Sequence, residues 1–388
     1  MSDRAGSANR MRSVMFALLT LAAPRPGFAQ DLDPLLDKLT ERGLLSAVDR
    51  EDVQRQLAGK NNSLPFSLKM GGLIQLRFAA QKNDPRTQGS EDSFRVRRAR
   101  LTADGTLIED VDFHLEADVS RAAALEEAEI RILTLPQANV TLGQFKTPFS
   151  MENWNSTKRL DMVERTQVVT ALAPDKDIGI MVGGQFFLKR FGYRAAMVNG
   201  NGHNTSGNDN DQFLYVLRLE GTPIQRLPVW NQDLTVAVGA NGAYSRDSAA
   251  RADAIFGVKK AVGAASEGAR RLAGADLSVL SGRISFKAEY LWGEFKPFLN
   301  GKRLIRTDGY YVQGGWYLTQ RLQTLARYES FDPDKDALNN SDIRWTTLGV
   351  NYFIRGHNLR TQVNYVFKEE RTDDVRDDTL FASIQLLF

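Results

Sequence analysis

Four arginines fall within eight positions of one short run, Phe94-Arg95-Val96-Arg97-Arg98-Ala99-Arg100-Leu101. A guanidinium is always charged and presents a planar fork of donors, so such a cluster suits phosphate or carboxylate groups. Phe94 and Val96 point to one face of a strand, and Ala99 and Leu101 continue that face after the alternation slips at Arg97-Arg98. The slip predicts a β-bulge that keeps Arg95, Arg100 and one or both of Arg97 and Arg98 on the opposite face. The next run, 111–119, carries Asp112, Glu116 and Asp118 toward that same face. Two readings follow: the arginines guide an anion, or they pair with these carboxylates and brace the wall.

A second region carries chemistry of the same kind. Residues 143–150, GQFKTPFS, end a strand, and the stretch from there to Pro174 loses strand alternation, with a helix-like run over 162–172. About 30 residues is long for a loop without a role. Its charges are mixed, with Lys146, Lys158, Arg159, Arg165 and Lys176 against Glu152, Asp161, Glu164 and Asp175. The expectation is a constriction loop, about 146–176, folded into a lumen; the alternative is an external loop lying over a neighbouring subunit.

The elements that must position these groups are strands. From Leu64 onward apolar and polar residues alternate with period two, as in Ile284, Phe286, Ala288, Tyr290 and Trp292 against Arg283, Ser285, Lys287 and Glu289. The final run has apolar Leu380, Ala382, Ile384, Leu386 and Phe388 at every second position. A charged opposite face repeated this often means that the other side is wet. About sixteen such runs fit into 64–388, roughly 20 residues per strand and connection, a suitable length for a transmembrane barrel. Tight turns at Ser281-Gly282 and Thr319-Gln320 contrast with polar loops over 201–211, 246–270 and 331–341. The fold class is therefore an all-β, 16-stranded antiparallel transmembrane β-barrel with an inward-folded loop. A large soluble β-sandwich or solenoid is the alternative. A charged arginine on the lipid face costs about 2–4 kcal/mol near the midplane, so the arginines belong inside. On this parity Arg218, Lys287 and Arg327 also face the lumen.

Residues 1–29 read as a signal peptide, with basic Arg4, Arg10 and Arg12, a short apolar core and Gly27-Phe28-Ala29 before the cut. That core is too short to span a membrane as a helix, which needs about 20 residues. Residues 30–63 predict a short helical periplasmic segment and linker: Leu32, Leu35, Leu36 and Leu39 recur at helical spacing before Gly43. A small plug or tether and a short trimerising coil both fit it. The chain has no Cys, which excludes thiolate metal sites and Cys nucleophiles. Removing the four Arg and one Asp of 1–29 from the 50 basic and 47 acidic residues leaves 46 of each. Any ion preference must then come from where charges sit.

Catalysis finds little support. The three histidines, His114, His203 and His357, lie far apart in sequence and none neighbours a nucleophile motif. Satisfied or solvated imidazoles are the simpler reading, with no metal site and no cofactor expected. Gly200-Asn201-Gly202 does not sit between a strand and a helix, so it is a loop, and no nucleic-acid partner is implied. A barrel that serves as an enzyme or a structural adhesin is the remaining different class.

FRVRRARL, GQFKTPFS, the leucine-rich prelude over 35–57 and the terminal Phe388 together resemble the phosphate-selective porin O/P family. The resemblance implies a homotrimeric porin of the bacterial outer membrane, in contact with its lipid. The long loop would fold inward, and basic residues would guide small anions such as phosphate through a narrow waist. Carried over by position, Arg97, Arg98 and Arg100 would lie near that waist and Lys146 at the root of the constriction loop. This chain departs from an all-basic lumen, since Asp112, Glu116, Asp118, Glu127, Glu129, Glu289 and Glu329 also face inward. An anion path beside Arg77, Arg95, Arg218, Arg283, Lys287, Arg327, Arg344 and Arg360 is one reading. A general, non-selective diffusion pore is the other.

Overall fold

Period-two alternation puts one face of every strand in apolar surroundings and the other among polar groups, and a sheet with two such faces can close on itself. The computed structural model describes residues 67–82, 92–120, 124–205, 207–229, 232–248, 267–299, 301–337, 342–371 and 377–388. The signal peptide, helical segment and linker expected over 1–63 lie outside the described residues.

The strands are β1 (Ser67–Gln81), β2 (Ser93–Ile108), β3 (Val111–Asp118), β4 (Ala124–Ile132), β5 (Asn139–Lys146), β6 (Lys176–Phe186), β7 (Phe191–Val198) and β8 (Leu214–Val229). They continue as β9 (Gln232–Asp247), β10 (Gly268–Ser281), β11 (Ile284–Pro297), β12 (Ile305–Tyr317), β13 (Leu322–Asp332), β14 (Ile343–Arg355), β15 (Leu359–Glu370) and β16 (Thr379–Leu387). Each pairs with its sequence neighbour, and β1 pairs antiparallel with β16 to close a barrel of 16 strands. Closure satisfies every ladder hydrogen bond, which is what a sheet in hydrocarbon requires. The last residue takes part: Gly72 N–H donates to the Phe388 carbonyl at 2.8 Å, and the Phe388 ring lies where a side chain on Gly72 would stand.

The usual arrangement of a soluble core is reversed. Leu217, Tyr290, Leu348, Val363 and Ile384 are exposed on the outside. On the same strands Arg218, Glu289, Asn351, Gln362 and Gln385 are buried inside. Connections alternate in length, with Gly282 and Arg283 alone joining β10 to β11. Two of the expected long loops are shorter than the sequence suggested, because β9 runs to Asp247, β10 starts at Gly268 and β13 runs to Asp332, whereas the one expected over 201–211 is longer, from 199 to 213.

Candidate functional site

The connection from β5 to β6, residues 147–175, lies inside the barrel and crosses to the far wall. Its first requirement is a sharp departure from the sheet. Gly143 has φ +120°, and a Cβ there would come within 2.1 Å of the Ala128 carbonyl oxygen, so only glycine fits that turn of β5. Phe145 and Phe149 are buried, and Ser150, itself at φ 67°, accepts a hydrogen bond from Asn153 N at 3.1 Å. That cap opens a single turn, α1 (Met151–Trp154). A 3-10 turn (Thr157–Arg159) follows, and then α2 (Gln167–Leu172). The helix expected over 162–172 is confined to its second half. Residues 160–166 instead form an irregular, bent stretch, in which the Asp161 carbonyl and Val163 N bond to the wall rather than within a helix.

The wall of β11 to β16 holds this loop by its main chain. Met151 N and Glu152 N donate to the Glu289 carboxylate at 3.0 and 3.2 Å, and Gln167 N donates to Glu329 at 2.6 Å. Val163 N donates to Asn364 at 2.7 Å. In the other direction Asn351 and Gln362 each donate to the Asp161 carbonyl at 2.9 Å, and Gln385 donates to that of Lys158 at 3.2 Å. Side chains add to this: Asp161 accepts from Lys287 at 2.5 Å and from Gln313 at 2.8 Å. Nearer the long-loop end, Val168, Val169 and Leu172 of α2 join an apolar cluster with Leu291, Phe295, Tyr311 and Phe331 of the wall. These contacts fix the loop across the lumen. Glu289 and Glu329, which the sequence offered as competitors of an anion, accept loop N–H groups.

The candidate cations separate into two sets. In the first, each charge meets carboxylates. Arg100 is held by Glu116 at 2.7 Å, Asp118 at 3.1 Å and Glu126 at 3.0 Å. Arg97 chelates Glu164 at 3.0 and 3.1 Å, with Arg77 on the same carboxylate. Burial pushes the Glu164 carboxyl up, but Arg97, Arg77 and Arg98 outweigh it and hold the group below its ordinary value. Arg218 forks onto Asp276 at 2.7 and 3.1 Å, Lys287 binds Asp161, and Arg327 lies 3.4 Å from Glu329 and 3.5 Å from Glu152.

In the second set no carboxylate lies within bonding distance among the described residues. Arg98, buried, donates to the Gln75 carbonyl oxygen at 2.7 Å. Arg165 reaches the carbonyls of Glu152, Asn153 and Asn155 at 3.4 Å, and Lys146 reaches that of Asn155 at 3.4 Å. Arg165 repels both Arg98 and Lys146, while Glu164 attracts Arg98 and Glu127 attracts Lys146 from beyond bonding distance. Of the loop's other cations, Arg159 is exposed, whereas Lys158 belongs with the first set, 3.6 Å from Glu116. Arg97 and Arg98 are consecutive, and Arg97 bonds to Glu164 of the loop while Arg98 bonds to Gln75 of the wall. Arg95 is exposed and touches Ser93 at 3.3 Å. Of the wider set, Arg360 is buried inside, Arg283 lies in the β10–β11 turn, and Arg344 shares the outward parity of Leu348 and Val350.

A cavity of about 920 Å³ opens between the loop and the wall of β2 to β7, with Arg100, Lys146, Lys158, Arg159 and Arg194 on its surface together with Asp104, Glu116, Glu127 and Glu129. Sequence reading missed the amides of β12 to β16 that grip the loop. Their signal was the repeated inward Asn and Gln, which read only as polar.

Comparison with known proteins agrees with this geometry. The family model for phosphate-selective porin O and P matches residues 68–388. An uncharacterized protein of Aquifex aeolicus is 22% identical over 419 residues, covering 96% of this chain and 98% of its own. Among solved structures, the trimer form of OmpT, an outer membrane protein of Vibrio cholerae, aligns at a TM-score of 0.60 with 12% identity, over 83% of this chain and 99% of that one. The outer membrane channel DcaP of Acinetobacter baumannii aligns at 0.53 with 13% identity, over 83% and 97%. These likenesses show a shared fold, and the family match covers the described barrel from Leu68 onward. The chain belongs to the phosphate-selective porin O and P family of outer-membrane diffusion channels.

Proposed function

We propose that this pore passes small hydrophilic solutes down their gradients and favours anions, phosphate-like ones among them. The observation that carries this reading is that Arg98, Lys146 and Arg165, at and beside the constriction loop, bond to amide and main-chain oxygens and form no ion pair with a carboxylate. An anion passing the loop gives up part of its water shell, and fixed guanidinium and ammonium groups replace that shell with charge-assisted contacts. Low-dielectric walls concentrate the field of these charges. Mutual repulsion among the three cations is relieved by an anion and aggravated by a cation, so the preference follows from their arrangement and not from the net charge. Lys158 and Arg159 extend the positive surface into the cavity.

The same reading takes residues 1–29 as a cleaved signal peptide, 30–63 as a short periplasmic segment, and the assembly as a homotrimer in outer-membrane lipid. Support for the trimer is the trimer form of the Vibrio cholerae protein, which shares the fold.

The test is electrical. In planar bilayers under a KCl gradient, replacing Arg98, Lys146 and Arg165 together by Gln lowers the anion-to-cation permeability ratio, and added phosphate slows chloride current in the parent more than in the variant. A second reading, a pore without charge preference, draws on the acidic cavity lining of Asp104, Glu116, Glu127 and Glu129. An identical reversal potential in parent and triple variant favours that reading and rejects the first.

A further inference from the structure

The β3–β4 hairpin assembles a cluster that sequence spacing conceals. His114 lies directly across the ladder from Glu129, and Glu127 is two residues further along the same face of β4. One ligand atom from each of His114, Glu127 and Glu129 can be chosen so that all lie within 4.8 Å of one another. All three side chains line the lumenal cavity, so an ion has access to them from water.

We propose that His114, Glu127 and Glu129 form a binding site for a divalent transition ion, of the Zn²⁺ class, in the wall of the pore.

Three observations on this hairpin support it. The first is the imidazole's orientation. His114 Nδ1 lies 2.6 Å from Asp104 Oδ1, and a carboxylate can only accept, so Nδ1 carries the proton. That leaves the lone pair on Nε2, which lies 3.7 Å from Glu127 Oε2. A histidine whose far nitrogen donates to a carboxylate is the arrangement that fixes tautomer and ring in metal sites.

The second concerns the glutamates. Each engages a neighbouring cation through one oxygen. Glu127 faces Lys176 with Oε1 at 3.6 Å, leaving Oε2 toward the histidine. Glu129 accepts from Arg131 Nε with Oε2 at 3.0 Å, leaving Oε1.

The third is distance. Ligand atoms about 2.0–2.1 Å from a tetrahedral zinc stand roughly 3.4 Å apart, so rotation of the carboxylates, without movement of the strands, closes the site. Nitrogen with carboxylate oxygen suits zinc and its neighbours in the first transition row, and three protein ligands leave a position open to water from the cavity. A bound ion would add two positive charges to the acidic side of the cavity and bring it closer in sign to the Arg98–Arg165–Lys146 group.

Equilibrium dialysis of the full-length protein in detergent against ZnCl₂ tests the site whether or not the channel selects anions. One saturable equivalent is expected. His114→Gln and Glu127→Gln each remove it, while His357→Gln leaves it intact. Asp104→Asn, which changes the orienting group and no ligand, weakens binding about 10–100-fold. Each variant is first checked for the heat-modifiable mobility of a closed barrel, and Glu129→Gln replaces any that fails. Absence of saturable binding, or equal affinity in the parent and a folded His114→Gln protein, overturns the proposal. In bilayers, saturating Zn²⁺ shifts the parent's reversal potential toward anion selectivity and leaves that of His114→Gln unmoved. A parent potential unmoved at full occupancy overturns the electrostatic role.

Discussion

The two halves of this barrel present different inner walls. From β12 to β16 the inward side chains that meet the loop include the amides Gln313, Asn351, Gln362, Asn364 and Gln385, and most of these contacts are to loop main chain. From β2 to β4 the inward side chains include the charged Arg100, Glu116, Asp118, Glu127 and Glu129, and part of that wall faces an open cavity. The difference follows from what each half must satisfy. A chain segment crossing a lumen exposes N–H and C=O groups in alternation, and an amide offers both a donor and an acceptor without a charge to desolvate. A wall against water carries charge at little cost and gains a field. The lesson is that inward polarity alone does not mark a conduction path, because amides opposite backbone are fasteners.

The largest effect is expected where a charge has been used on the fastening side. Glu289 and Glu329 together accept three loop N–H groups, those of Met151, Glu152 and Gln167. Replacing both by Ala strands these donors, at about 1–3 kcal/mol for each buried one. We expect the loop to leave the lumen, with a marked rise in single-channel conductance and faster proteolytic cutting within 147–175. Unchanged conductance would mean that the amides of β14 to β16 hold the loop alone, and would confine the comparison to that stretch of wall.

A smaller and more discriminating effect lies within the charged half. Arg100 and Arg98 are two residues apart on β2, yet one meets three carboxylates and the other a single amide oxygen. Arg100→Gln leaves Glu116, Asp118 and Glu126 without their shared cation, a loss of about 3–5 kcal/mol of the kind seen when a buried pair is broken. Arg98→Gln removes one hydrogen bond, about 1 kcal/mol, and relieves repulsion. Each substitution subtracts one positive charge from the lumen, so both should shift permeability toward cations. Only Arg100→Gln should lower the barrel's thermal midpoint appreciably, and Glu116→Gln added to it should restore part of the loss. Equal midpoints for the two single variants would remove the distinction between bracing and conducting arginines.

Much of this was legible in the sequence. Alternation specified the strands, because an oily face against lipid and a wet face inside leave no freedom of register. The run of four arginines stood out by its spacing, and the length of the β5–β6 connection set it apart from the tight turns. What stayed hidden depends on partners far away in the chain. Glu329 and Gln167 are separated by 162 positions, and nothing local distinguishes a capping carboxylate from a pore-lining one. His114 looked solitary for the same reason, since its companions arrive through cross-strand pairing. The helix-like spacing over 162–172 is realised only from Gln167 onward, because the barrel wall takes the hydrogen bonds of the residues before it.

The smallest expected effect is at the rim, where the chain leaves the strands. Asp342 lies in the connection between β13 and β14, buried, with Asp332 beside it and Arg371 3.7 Å away. Burial, and then repulsion from Asp332, push its carboxyl from the ordinary 3.8 up to about 6. Between those values the folded state keeps a proton that the unfolded chain releases, so folding is favoured by acid in this window. The contribution is fully present below about 3.8 and is lost as pH rises through about 6. An Asn at this position is neutral throughout. Asp342→Asn should therefore raise the thermal midpoint slightly at neutral pH and leave it nearly unchanged in acid, flattening the profile across that window. Parallel midpoint curves for the two proteins would show that the rim carboxyl is not strained by its neighbours. The charged groups at the barrel's end would then behave like those on the open side of the lumen, where water and counter-charge set the energies.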